Sequence, residues 1–268
     1  MIKKLKWDSN FFGFNVALIN IANSVSPESF SSILKRFWQS EHDCAYLSVP
    51  VLRKDLLKLC TKNNLYLADI RVLLEKQIMT GKHRLGKALD SRHHTFGSAG
   101  NSSAIGSTGG RDIIVRQIKK KDKEDLLKLA GQISKKSRFY KDKKFRKFAD
   151  KLFGEWIVKS VYKKNNPVNF FAYTKDELAG MITVKLTDNI PFIDLFGVLE
   201  KYRRYGFGKK LLDSVFYWAE QNNYAGLKVN TQKTNKVAMI VYQKSGFKIL
   251  NTSNIYHLWK KDDQNTFQ

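Results

Sequence analysis

The stretch Tyr202-Arg203-Arg204-Tyr205-Gly206-Phe207-Gly208-Lys209-Lys210-Leu211-Leu212 sets two glycines among basic residues. An apolar run, Ile193 to Val198, precedes it, and helical spacing follows in Leu211, Leu212, Val215, Phe216 and Ala219. Strand, basic glycine turn and helix together make a phosphate cradle. Glycines let the backbone turn tightly, so that several N–H groups face one anion. The helix N-terminus adds its partial positive charge at the same point. A P-loop does not fit, because it needs four residues between its glycines and Ser or Thr after the lysine. The dinucleotide fingerprint does not fit either, since Leu211 stands where its third glycine belongs.

The turn reads Arg-x-x-Gly-x-Gly over Arg203 to Gly208. Downstream, Leu227 to Thr231 alternates as a short strand. It is followed by Asn235, Ala238, Tyr242, Lys244, Gly246 and Phe247, in the pattern Asn-x-x-Ala-x-x-x-Tyr-x-Lys-x-Gly-Phe. Asn235 and Thr234 are residues that cap helices. Ala238 and Tyr242 share a helix face, and Gly246 suits a left-handed helix end. In these two motifs the chain resembles the GNAT acetyltransferase superfamily. The resemblance implies an α/β fold with a GNAT-type mixed central sheet flanked by helices. It also implies acetyl-CoA as cosubstrate, with the pyrophosphate held by Arg203, Arg204, Tyr205, Gly206, Phe207, Gly208 and Lys209. Phe196, Gly197, Val198 and Asn235 would complete the cofactor site. Tyr242 matches the family's general-acid tyrosine. The family's usual strand glutamate falls at Leu195, which leaves the base unassigned, with Asp194 beside it as a candidate. Gly197 is expected to mark a bulge that frees a backbone N–H for the thioester oxygen.

The element order outside these motifs divides the chain. Residues 1–78 read as a small α/β domain, with strands at Val16 to Ile21, Ala45 to Val49 and Asp69 to Leu74. Helices are expected at Pro27 to Trp38, with Ser26 as cap, and at Leu52 to Cys60. Residues 79–112 are rich in Gly, Ser and His, and read as a flexible linker. Residues 113–261 carry the second domain, which is expected to close on two strands, Phe247 to Asn251 and Tyr256 to Lys260. A polar tail occupies 262–268.

Composition limits the function classes. The chain has 268 residues and 43% hydrophobic content, ample for a core. Cys44 and Cys60 provide neither a disulfide framework nor metal spacing, which fits a reducing cytoplasm. His83, His93 and His94 in the linker stand without clustered Cys or carboxylate, so no metal is assigned. No apolar run implies membrane insertion, and Trp7-Asp8-Ser9 interrupts any signal-peptide core. The net charge of +24 suits a polyanionic partner. The sequence nevertheless shows no aromatic-basic signature of a nucleic-acid module.

The opening, Lys6-Trp7-Asp8-Ser9-Asn10-Phe11-Phe12-Gly13-Phe14-Asn15-Val16, resembles that of the TDP-fucosamine acetyltransferase family. Ser137-Arg138-Phe139, Phe153 to Ile157 and Lys228 to Gln232 extend the likeness. It implies a nucleotide-linked amino sugar as acceptor, acetylated on its 4-amino group in a surface-polysaccharide pathway. A homodimer is a candidate assembly that the sequence does not decide. Arg138, Trp7 and Phe11 would face that acceptor, Arg138 being suited to a pyrophosphate. A protein or other small amine as acceptor, or a non-catalytic basic binding protein on this fold, stays open.

Overall fold

The structure, a computed structural model, describes residues 2–78, 104–108, 111–116, 122–162, 168–175 and 177–260. Along the chain run β1 (Ile2–Lys4), α1 (Lys6–Phe12), β2 (Val16–Asn20), α2 (Pro27–Gln39), β3 (Cys44–Pro50), α3 (Lys54–Lys62) and β4 (Tyr66–Gln77). Next come β5 (Ala104–Thr108), β6 (Arg111–Arg116), α4 (Lys123–Ser134), the short α5 (Arg138–Lys141) and α6 (Lys143–Arg146), and α7 (Ala149–Tyr162). The remainder is β7 (Val168–Thr174), β8 (Glu177–Thr187), β9 (Ile190–Val198), α8 (Phe207–Gln221), β10 (Gly226–Gln232), α9 (Lys236–Lys244) and β11 (Lys248–Trp259). Of the stretch expected as a linker, residues 79–103 and 109–110 lie outside the described residues, as does the 262–268 tail, while 104–108 and 111–112 are in strands.

The chain forms two compact units. The first takes the described residues of Met1–Leu73, Thr231–Asn235 and Ile249–Gln268. In it β1 pairs antiparallel with β2, β2 parallel with β3, and β3 antiparallel with β11. One sheet face buries Ala17, Ile19, Ala45, Leu47 and Val49 against Phe30, Leu34 and Phe37 of α2 and Leu56 and Cys60 of α3. The α2 start follows from its sequence. Ser26 accepts a bond from the Ser29 N–H, and Pro27 occupies a position whose own N–H needs no partner. The aromatic opening folds as α1, which ends at Gly13 in the left-handed region, φ 79°. The two closing strands expected after Gly246 are a single strand, β11. No residue between Lys248 and Trp259 has the positive φ that would turn the chain.

The second unit takes the described residues of Leu74–Asn230 and Lys236–Lys248. Strands β5 to β9 form an antiparallel ladder, and β9 pairs parallel with β10. The sheet is therefore mixed, as the sequence implied. Apolar side chains of α8, among them Leu211, Leu212, Val215 and Ala219, are fully buried. Gly180 of β8 is forced by close approach, since a Cβ there would stand 2.7 Å from the Gly197 carbonyl oxygen. Gly180→Ala is expected to lower the unfolding free energy by about 2 kcal/mol. Urea denaturation reads this directly, and an unchanged midpoint would contradict the close approach.

Candidate active site

The cradle is built by backbone geometry. Gly206 sits in the left-handed region at φ 88° and is the N-cap of α8, while Arg204 is also left-handed at φ 67°. No side chain caps this helix. The first intrahelical bond of the turn runs from the Lys210 N–H to the Gly206 carbonyl, 3.0 Å. The N–H groups just before it, at Phe207, Gly208 and Lys209, are those a helix start leaves for an anion.

Two of the basic side chains around the turn, Arg203 and Lys209, are engaged at its edges. Arg203 donates through Nε to the Val198 carbonyl, 3.2 Å, and lies 3.6 Å from Glu200. Lys209 pairs with Asp213, 2.6 Å, one helical turn on. Tyr202 is buried with its hydroxyl on Glu177, and its ring lies 5.6 Å from that of Phe207. Arg203 thus ties the turn to the end of β9.

Gly208 brings β9 into the site. A Cβ at this position would meet the Phe196 ring at 3.4 Å and Val198 at 3.8 Å. The Phe196 ring in turn stands 6.0 Å from that of Tyr242 on α9. The structure therefore gathers the cradle, the β9 segment and Tyr242 within one unit. Trp7 and Phe11 lie in the first unit, stacked at 5.2 Å, with Trp7 38% exposed. Arg138, at the start of α5 in the second unit, lies over the Phe139 ring at 4.4 Å. Asn235 precedes α9 and donates its N–H to the Gln232 carbonyl, 2.9 Å.

The register of β8 and β9 corrects the reading of Gly197. Gly197 is paired with Met181, and the irregularity lies where Thr183 faces Leu195 but Val184 faces Ile193, so the extra residue is Asp194. Gly197 is small for a different reason. A Cβ would stand 2.9 Å from Ile133 and 3.1 Å from Leu129 of α4, so the glycine admits a helix. The bulge turns Asp194 into a buried polar cluster. Its carboxylate, 7% exposed, accepts from Lys185 Nζ at 2.5 Å, Trp156 Nε1 at 3.1 Å and Ser160 Oγ at 3.2 Å. Three donors thus occupy most of its acceptor sites. Thr183 Oγ1 accepts the Leu195 N–H, 3.1 Å. Trp156 stood in the sequence only as part of the likeness over Phe153 to Ile157, and nothing flagged Thr183 or Ser160, because these contacts depend on strand register.

Tyr242 is held by the end of its helix. The Phe247 N–H bonds the Tyr242 carbonyl and the Gly246 N–H bonds that of Gln243, both at 3.0 Å, with Gly246 at φ 87°. This is the Schellman ending, in which the residues providing its hydrophobic contact are Tyr242 and Phe247. Their rings meet edge to face at 5.4 Å. Tyr242 is 4% exposed, and burial holds its phenol well above the usual tyrosine pKa, so it carries its proton at neutral pH. Burial also pushes the Cys60 thiol up to about 11, which leaves it protonated and inert as a nucleophile. Among the described residues no His/Cys/Asp/Glu group could hold a metal, and no helix is long and apolar enough to cross a membrane.

Residues 132–247 match the acetyltransferase (GNAT) family model. The match runs from α4 through the cradle and α9, so the matched segment contains both motifs and Tyr242. Two solved structures have similar folds. One is a functionally unknown conserved protein from Staphylococcus epidermidis, 14% identical, with 91% of this chain and 83% of that chain covered and a TM-score of 0.55. The other is a GCN5-related N-acetyltransferase from Sphaerobacter thermophilus, 11% identical, covering 92% and 74%, with a TM-score of 0.58. No curated protein matches. At these identities the likeness is one of fold.

Proposed function

We propose that the chain is an acetyl-CoA-dependent N-acetyltransferase whose acceptor is the amino group of a nucleotide-linked sugar. The observation that carries the reaction is the meeting of three parts in one unit: the left-handed glycine cradle on α8, the β9 segment at Phe196, and the buried phenol of Tyr242. The pyrophosphate of acetyl-CoA binds the N–H groups of Phe207, Gly208 and Lys209, and the pantetheine arm follows β9 toward Tyr242.

The amine attacks the thioester carbonyl directly, forming the amide as the carbon–sulfur bond breaks. A backbone N–H in Phe196 to Val198 supports the carbonyl oxygen as it gains charge. The leaving thiolate takes the Tyr242 proton, and the proton that the amine nitrogen loses passes through water to restore the phenol. Ordinary pKa values of about 10 for a phenol and about 8.5 for a thiol make this step uphill by roughly 2 kcal/mol. The same desolvation that raises the phenol raises the thiolate's proton affinity, so burial does not widen the gap by its full effect. No enzyme nucleophile is needed, in keeping with the buried, protonated Cys60.

The acceptor assignment rests on the resemblance of the Trp7–Val16 opening and on Arg138, a guanidinium suited to a diphosphate. Mass analysis of a panel of nucleotide-linked sugars incubated with acetyl-CoA tests it. Acetylation of 4-amino sugars, with their 4-hydroxy counterparts untouched, is the expected result. If no sugar is acetylated while acetyl-CoA still binds by calorimetry, the acceptor is a different amine. The net charge of +24 then favours an acidic protein.

A further inference from the structure

Lys76 lies on β4, outside the segment that matches the GNAT family model, yet belongs to the same compact unit as Tyr242. Its Nζ donates to the Ser245 carbonyl at 2.6 Å and stands 4.2 Å from the centroid of the Phe216 ring. A Cβ on Gly246 would approach that Nζ to 3.2 Å, so the ammonium sits directly against the left-handed turn that ends α9.

We infer that Lys76 is a positioning residue for Tyr242, a role that rests on the reading of Tyr242 as the acid. Ser245 is the last helical cap of α9, and its carbonyl is one of those a helix end leaves without an intrahelical donor. A cation at this end also complements the helix dipole. The next two residues, Gly246 and Phe247, close the turn on Gln243 and Tyr242. The Lys76 ammonium therefore clamps the cap whose closing contact is the Tyr242–Phe247 ring pair. The aromatic chain is continuous: Lys76 covers Phe216, Phe216 lies 6.0 Å from Phe247, Phe247 lies 5.4 Å from Tyr242, and Tyr242 lies 6.0 Å from Phe196 of the proposed thioester site. Releasing the clamp loosens the ring that carries the proton without touching the phosphate cradle.

The test compares Lys76→Met, which keeps the aliphatic stem over Phe216 but loses the donor and charge, with Lys76→Arg, which restores both. The full chain is labelled with 3-fluorotyrosine, and the Tyr242 fluorine resonance is assigned by its loss in Tyr242→Phe. The resonance is expected to shift or broaden in Lys76→Met and to return in Lys76→Arg. Acetyl-CoA affinity by calorimetry should stay within about twofold, while thiol release with a TDP-linked 4-amino dideoxy sugar falls about tenfold in the Met variant only. A wild-type Tyr242 resonance in Lys76→Met, or equal change in both variants, overturns the inference. If Tyr242→Phe itself turns over at the wild-type rate, the acid assignment fails, while the resonance still decides whether Lys76 places the ring.

Discussion

Gly206→Asp is expected to weaken acetyl-CoA binding by roughly a hundredfold. Two costs combine. A side chain in the left-handed region that Gly206 occupies at φ 88° costs about 1–2 kcal/mol, which the free turn sheds by relaxing and which binding must restore. A carboxylate is also placed where the pyrophosphate meets the α8 N-terminus, opposing the N–H groups and dipole that favour the anion. Together these reach about 2–3 kcal/mol, and 1.4 kcal/mol is tenfold in affinity. Gly206→Ala separates the terms, since it keeps the strain and removes the charge, and should lie between wild type and the Asp variant. Calorimetric titration with acetyl-CoA reads both. Wild-type affinity in Gly206→Asp would remove the cradle from the account.

Tyr242→Phe is expected to lower turnover by about two orders of magnitude while leaving acetyl-CoA affinity close to wild type. General acids contribute on this scale. The substitution keeps the ring that contacts Phe196 and Phe247, so the edge-to-face pair that ends α9 survives and the fold is not at issue. A variant that lost affinity and turnover in parallel would point to Tyr242 as a packing residue. An unchanged rate would hand the thiolate's proton to water.

The parts of this site that were legible in the sequence are those a backbone turn dictates. Gly206 and Gly246 both take the left-handed conformations their motifs imply, at φ 88° and φ 87°. The spacing Tyr242 to Phe247 is the spacing of a helix-ending hydrophobic contact, which the rings make. The parts that were not legible depend on partners far along the chain. Gly197 reads locally as a bulge residue, but its smallness serves Ile133 and Leu129 of α4. The bulge at Asp194 is a matter of how β9 registers on β8, and no local signal distinguishes Asp194 from its neighbours. The pairing of β11 with β3 is equally non-local, and it takes the last strand into the first unit. Lys76 carries no motif at all, since its meaning arises only where its ammonium meets Ser245.

Direct transfer of acetyl from the thioester to an amine, without an acetylated enzyme, is what the proposed mechanism requires. The measurement that tests it most directly follows free thiol and the intact mass of the chain, with acetyl-CoA alone and then with the amino-sugar panel added. No thiol burst and no mass gain on the chain are expected until an amine is present, then one thiol released for each amine acetylated. A stoichiometric burst with acetyl retained on the protein, or thiol release indifferent to any amine, would contradict it.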